Sequence, residues 1–174
     1  AAASGATYTP TGWTNGNVVA KATTTVTGFT LQTSQDGKTW SSTASQTFTQ
    51  NGTMYVRLID STNQEGGSTT GNVDKIDKLK PTVSSVSKTT NTVTITATDA
   101  AKTSANGCSG VASYALTTST TVPTSGFQTS NKFTGLKQGT TYYAWVKDNA
   151  GNVSASGYNV ATGTVTGLTE SNTT

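Results

Sequence analysis

What the sequence has little of narrows its chemistry at once. It contains no histidine, one cysteine (Cys108), one arginine (Arg57) and eight acidic residues. Without histidine there is neither a Ser-His triad nor an imidazole metal ligand. A single cysteine excludes any disulfide within the chain. We therefore predict that the chain is not an enzyme and holds no cofactor and no metal.

Two further absences concern membranes and nucleic acids. No stretch approaches the roughly 18 consecutive apolar residues of a membrane-spanning helix. The net charge is only +3, although the sequence pI is near 9.0. The one lysine cluster, Lys75, Lys78 and Lys80, is interleaved with Asp74 and Asp77. We expect no membrane insertion and no nucleic-acid partner.

The composition favours strands and thin cores. Threonine supplies roughly a quarter of the residues, several-fold above ordinary usage. This β-branched residue is favoured in strands, and its hydroxyl tolerates the wet face of a sheet. Hydrophobic residues are only 32% of the chain, which suits a sandwich in which alternate residues face inward. The predicted fold class is therefore all-β, and the polar, weakly charged surface favours an extracellular location.

The most charged stretch, 73–83, divides the chain into two runs of similar length. We predict a tail or edge segment over 1–12, a first domain over 13–79, a second over 80–168 and a tail over 169–174. Pro81 restricts both its own φ and the conformation of Lys80, which indicates a short joint. Such a division predicts that residues 1–80 fold alone.

Alternation of apolar and polar residues predicts the strands, and no window has the 3.6-residue period of a helix. The predicted strands are 18–26, 29–33, 46–49, 54–59 and 72–76, then 82–89, 92–98, 111–118, 132–136, 141–147 and 154–166. The pairs Asp36-Gly37 and Asn51-Gly52 predict tight hairpin turns. A loop is predicted over 64–71. Met54–Asp60 is matched by Tyr142–Asp148, which indicates tandem modules.

Particular motifs carry family resemblances. Trp13, the Ser34–Trp40 turn, Asn51–Arg57 and the Ile76–Thr82 joint resemble the bacterial Ig-like repeats of surface proteins. The second half resembles a fibronectin type III or related Ig-like module through Leu136–Tyr142, with Gln138 where that family has proline.

These resemblances imply two tandem β-sandwich domains. They also imply a non-catalytic extracellular role as a spacer, an adhesion element or a carbohydrate-binding accessory module. The second resemblance implies that Tyr142 points inward as a corner tyrosine and hydrogen-bonds the preceding turn.

The candidate ligand-binding residues are Tyr143, Trp145 and Lys147. If Tyr142 and its alternate neighbours face inward, these three face outward, and an exposed tyrosine–tryptophan pair can stack on a sugar or a partner. The alternatives are that a neighbouring element, the partner domain or the next strand, covers Trp145, or that the face assignment is inverted by one residue. We expect Trp13 and Trp40 to pack at the domain's ends.

Two polar candidates have ordinary alternatives. Asp148, Asn149 and Asn152 could offer oxygens to calcium, but calcium usually takes more carboxylates, and a hydrogen-bonded turn is favoured. Cys108 has no cationic neighbour in sequence and is interpreted as a passive loop cysteine.

The expected function is that of a structural spacer or adhesion element at the bacterial cell surface. Its partners would be neighbouring domains of a larger surface protein, with a glycan or a host or cell-surface protein as a further ligand. The alternatives are a carbohydrate-binding accessory module of a secreted glycan-degrading system, and a phage decoration or tail module.

Overall fold

A computed structural model describes residues 6–165, and its regular elements there are all β-strands. They are β1 (Ala6–Thr9), β2 (Val18–Ala22), β3 (Thr30–Ser34), β4 (Ser45–Phe48), β5 (Gly52–Ile59), β6 (Glu65–Val73), β7 (Thr82–Lys88), β8 (Val93–Thr98), β9 (Val111–Thr117), β10 (Lys132–Phe133), β11 (Thr141–Asp148) and β12 (Tyr158–Ala161). The all-β prediction is confirmed. Within 6–165 there is no helix that could cross a membrane. The tail predicted over 169–174 lies outside the described residues.

The chain forms two compact units. Unit 1 comprises Ala1–Leu79, Ala100–Ser109 and Asn149–Asn152, and unit 2 comprises Lys80–Asp99, Gly110–Asp148 and Val153–Thr174. Two short segments from the second half of the sequence thus belong to unit 1. Within the described part of the predicted segment 1–12, Ala6–Thr9 form the edge strand β1, which pairs with β2 along its whole length.

Unit 1 is a sandwich of two three-stranded antiparallel sheets, ordered β1-β2-β4 and β3-β5-β6. Both sheets contribute to one core, in which alternate residues of β2 and β5 point inward. The buried residues are Val18, Ala20, Ala22 and Phe48 from the first sheet, Met54, Val56, Leu58 and Val73 from the second, and Ile76 after β6. Val18, Ala20 and Ala22 therefore define the inward face of β2.

Unit 2 repeats the same arrangement, with sheets ordered β7-β8-β10 and β9-β11-β12. Its core unites Val83, Val93 and Ile95 with Ala144, Val146 and Val160. In each unit the first, second and fourth strands form one sheet and the third, fifth and sixth form the other. This is the strand distribution of Ig-like sandwiches, with strands A, B and E facing C, F and G. The chain is therefore two tandem Ig-like or fibronectin-III-like β-sandwich domains, as predicted.

The two predicted tight hairpin turns have different outcomes. At Asp36-Gly37 the chain does reverse, because Thr33 and Ser41 exchange two backbone hydrogen bonds of 3.0 Å as an isolated antiparallel bridge. The connection is longer than a two-residue type I′ turn, which needs positive φ at both central residues, whereas only Gly37 of this pair has it, at 71°. The hairpin predicted at Asn51-Gly52 is wrong, because β4 pairs with β2 and β5 pairs with β3, so the chain crosses there from one sheet to the other.

The loop predicted over 64–71 is also wrong, because β6 occupies Glu65–Val73 and pairs with β5. The hairpin of this sheet turns at Asp60–Gln64, where Asn63 has a φ of 61°. β6 is made mainly of glycine, serine, threonine and asparagine, so it lacks the apolar alternation that marks a half-buried strand. Main-chain pairing, rather than side-chain burial, defines this edge strand.

Candidate functional site

The predicted stacking platform is not exposed at its centre. Trp145 is 0% exposed, and its indole Nε1–H donates a 2.9 Å hydrogen bond to Thr117 Oγ1. The backbone of Gly157 lies against the ring, since a Cβ added there would be 2.9 Å from Cζ2 of Trp145. The prediction that Trp145 offers a free ring face is wrong. The alternative, coverage by a neighbouring element, is what the structure shows.

Tyr143 and Lys147 lie on the same face of β11 as Trp145, opposite to the core residues Ala144 and Val146. Both are half-buried, and Lys147 Nζ lies 4.2 Å from the centre of the Phe127 ring. Their contact with a ligand stays a prediction, now without Trp145 as a stacking surface beside them.

The corner tyrosine implied by the fibronectin type III resemblance is confirmed. Tyr142 packs against the core of unit 2, and its hydroxyl accepts a 3.0 Å hydrogen bond from the backbone N–H of Lys137. This bond ties the start of β11 to the turn that precedes it. The feature is structural, because the hydroxyl is used within the fold.

Acidic side chains in unit 1 organise turns. Asp36 Oδ1 accepts hydrogen bonds from the backbone N–H groups of Thr39 and Lys38 and from the hydroxyl of Ser34. The two backbone donors, with Thr39 contributing most, hold the pKa of Asp36 well below its usual range. Asp60 likewise accepts from the Thr62 hydroxyl and from the N–H groups of Gln64 and Thr62, which lowers its pKa. Both carboxylates are therefore structural acceptors at neutral pH.

Asp77 is a fully buried acidic residue of unit 1, and it anchors the segments that come from the second half of the sequence. Its carboxylate accepts from the backbone N–H groups of Leu79 (3.1 Å) and Ser109 (2.9 Å). Its carbonyl accepts a 2.8 Å bond from Asn152 Nδ2, and Asn149 Nδ2 donates to the Ser109 carbonyl. A local hydrogen-bonded turn was favoured for Asn149 and Asn152, whereas these two amides bond to carbonyls that are 40 and 75 residues away in the sequence. Asp148, in unit 2, is also buried.

Cys108 is exposed in unit 1. It lines a cavity of about 320 Å³ with Trp13, Asp74, Lys75, Lys102 and Gly107. The fold thus places two lysines around a cysteine that has no basic residue within five positions of it in the sequence. Trp13 packs on Gly107, as expected of a structural tryptophan: a Cβ there would be 2.6 Å from its Cζ3.

A groove with no assigned role lies on the outer face of the β3-β5-β6 sheet in unit 1. This groove of about 530 Å³, called here the Trp40 groove, is lined by two partly exposed aromatic rings, three charged side chains and a row of hydroxyls. These residues are Trp40, Tyr55, Asp36, Lys38, Glu65, Ser68, Thr69 and Thr70. Sequence reasoning missed Tyr55 and placed Trp40 at a domain end. The alternation of β5 was the available signal, since Met54, Val56 and Leu58 face inward and leave Tyr55 outward.

Side chains around the Trp40 groove are held in place by their neighbours. The Arg57 guanidinium stacks over the Trp40 ring at 4.2 Å from its centre, and Arg57 Nε donates a 2.9 Å hydrogen bond to Gln32 Oε1. The Tyr55 ring is backed by Gly37, because a Cβ on that glycine would be 3.4 Å from two atoms of the ring. Asp36 is fixed by its three turn bonds. The groove wall is therefore organised without a ligand.

Comparisons with known proteins leave the family open. No protein-family model matches the sequence, and no curated protein matches it. A crystal structure of the FN1–FN3 domains of chicken CNTN1 is similar at 14% identity, with 94% of this chain and 68% of that chain covered and a TM-score of 0.40. A crystal structure of domains A168–A170 from titin is similar at 13% identity, with 94% and 61% covered and a TM-score of 0.40. The fold assignment rests on strand order and not on these likenesses.

Proposed function

We propose that this chain is a non-catalytic spacer or adhesion module of a bacterial extracellular surface protein. The observation that carries the proposal is the repetition of one six-stranded sandwich, each copy with its own buried core. Such modules supply length and a stable surface between other domains. The partners in this proposal are neighbouring domains of the same larger protein.

The state of two acidic groups fits a non-catalytic role. Glycoside hydrolysis, a reaction that requires no histidine, needs two carboxylates flanking a cleft, one of them with a raised pKa. Asp36 and Asp60 instead have lowered pKa values because turn donors bind them. Carboxylates held ionised in this way do not serve as general acids at neutral pH.

The accessory-module alternative loses its original support. It depended on a free ring face at Trp145, and that ring is buried. No feature of the described residues favours the phage alternative. The spacer role therefore leads, and glycan binding has to be argued from a different surface.

Localisation and mechanics test the proposal. Antibodies raised against the chain should label intact cells of the source organism, and external protease should remove the signal. The full chain held between terminal handles should unfold under force in discrete cooperative steps, as expected of packed sandwiches. Exclusively internal labelling, or gradual extension without steps, would contradict a surface spacer.

A further inference from the structure

The Trp40 groove brings aromatic rings, carboxylates and hydroxyl groups together on one surface of unit 1. Two aromatic rings, Trp40 and Tyr55, stand beside carboxylates at Asp36 and Glu65 and beside the hydroxyls of Ser68 and Thr70. Aromatic rings pack on apolar C–H surfaces, while carboxylates and hydroxyls exchange hydrogen bonds with hydroxyl groups. A pyranose ring presents both kinds of surface at once. We infer that the Trp40 groove binds a neutral oligosaccharide.

The charges of the groove argue for a neutral ligand. Asp36 and Glu65 carry negative charge, Lys38 carries positive charge, and the Arg57 guanidinium is engaged with Trp40 and Gln32. A phosphate or nucleic-acid site instead gathers cations, and a cation site gathers carboxylates without an ammonium group among them. A groove with charges of both signs and several hydroxyl groups can form many hydrogen bonds with a ligand that carries no net charge.

The rigidity of the groove argues for a binding surface with little ordering cost. Trp40 is stacked by Arg57, Tyr55 is backed by Gly37, and Asp36 accepts three hydrogen bonds from its own turn. A site whose side chains are already ordered loses less conformational entropy when a ligand arrives. Its volume, about 530 Å³, also lies within the usual range of ligand sites.

The groove is open and crosses the exposed edge strand β6. Tyr55 and Thr70 are directly paired across β5 and β6, so their side chains share one face of the sheet. An open channel of this kind admits a segment of a longer chain, whereas a closed cavity admits only a small molecule. The inference adds ligand binding to the proposed spacer role. It does not depend on that role, because sugar binding can be measured whether or not the module lies at a cell surface.

The test is an NMR titration of the full chain with cellohexaose, mannohexaose and chitohexaose, each to about 10 mM, because a weak single-site complex has a millimolar dissociation constant. The chain has three indole N–H signals, from Trp13, Trp40 and Trp145. At least one sugar should shift the Trp40 signal in a saturable way. The Trp145 signal should not move, because that ring is buried and bonded to Thr117.

Variants locate the site. Trp40→Ala and Tyr55→Ala should weaken binding by about tenfold or more, which corresponds to about 1.4 kcal/mol. Thr70→Arg keeps both rings and should block the groove from an exposed rim position. Tyr158→Ala removes a tyrosine that is 39% exposed in unit 2 and should bind as the parent does. Far-UV circular dichroism and melting temperature confirm that each variant is folded.

Four outcomes would overturn the inference. One is that no sugar moves the Trp40 signal. Another is that a folded Thr70→Arg variant binds like the parent. A third is that Tyr158→Ala loses binding as well. The fourth is concentration-dependent self-association, seen by sedimentation and abolished by Trp40→Ala, which would assign the groove to a second copy of the chain. Binding of a neutral sugar should also change little between about 0.05 M and about 0.5 M salt.

Discussion

The hydroxyl of Tyr142 accepts a 3.0 Å hydrogen bond from the backbone N–H of Lys137, five residues earlier in the chain. The ring packs against the core of unit 2, so the bond joins a core strand to the turn before it. Tyr142→Phe keeps the ring and removes only the acceptor. We expect a loss of about 0.5–1.5 kcal/mol in the free energy of unfolding, measured with urea. Tyr158→Phe, at an exposed tyrosine, is the matched control and should change little.

Trp145 is a packing residue, and its environment predicts two measurable effects. Acrylamide should quench the fluorescence of Trp145 least among the three tryptophans, as measured in single-tryptophan variants.

Gly157→Ala should destabilise unit 2 by about 1–3 kcal/mol, because its Cβ would lie 2.7 Å from the Cβ of Tyr143 and 2.9 Å from the Trp145 ring. Gly12→Ala, which meets no atom within 4 Å, is the control. An unchanged melting temperature in Gly157→Ala would show that the segment covering Trp145 is loose.

Acid should destabilise the protein through Asp36 and Asp60. Their pKa values in the fold lie below the ordinary value of 3.8, so the ionised carboxylates stabilise the fold at pH values above about 4. This contribution declines as the pH falls through 3.8 toward the lower pKa values of the folded state. The melting temperature should therefore drop between about pH 5 and pH 2. Asp36→Asn keeps the Oδ1 acceptor but cannot titrate, so its melting temperature should depend less on pH.

A fragment of residues 1–80 should be less stable than the sequence-based division implies. It lacks Ala100–Ser109 and Asn149–Asn152, which belong to unit 1. The Asn51 N–H therefore loses its acceptor, the Ala105 carbonyl, and the Asp77 carboxylate loses the N–H donor of Ser109. Each lost bond at a buried group costs about 1–3 kcal/mol, a large share of the total stability of a small domain.

Thermal melting of the purified fragment is the measurement. We expect a lower and broader transition than that of unit 1 in the full chain. In the full chain, Asn152→Ala removes one of these bonds and should cost about 1–3 kcal/mol, because it leaves the Asp77 carbonyl without that donor. A sharp, undiminished melt of the fragment would show that the added segments contribute nothing to unit 1.

Cys108 should react as one accessible thiol in the native protein. Its side chain is exposed, so an aromatic disulfide reagent should release one equivalent of thiolate without denaturant. Cys108→Ser should release none and should keep the parent's melting temperature. Reaction only after addition of urea would contradict the exposure seen here.

Local sequence patterns located the strands well where burial alternates. Ala144 and Val146 were expected to face inward and do so, because in a sandwich one face of each strand meets the core. β6 was missed because its glycine and threonine residues bury little and its position follows from pairing with β5. The hairpin signal at Asn51-Gly52 misled because it describes four or five residues, whereas strand partners are chosen across the whole domain.

The sequence by itself determined the all-β class, the positions of most strands and the inward faces, all of which depend on neighbours a few residues apart. The corner tyrosine was implied by the family resemblance of Leu136–Tyr142. Only the tertiary structure decided that Trp145 is covered by Gly157, that Arg57 stacks on Trp40, and that segments 100–109 and 149–152 complete unit 1. The reason is physical: the exposure of a side chain depends on elements that are distant in sequence, and no local period encodes which of them will cover it.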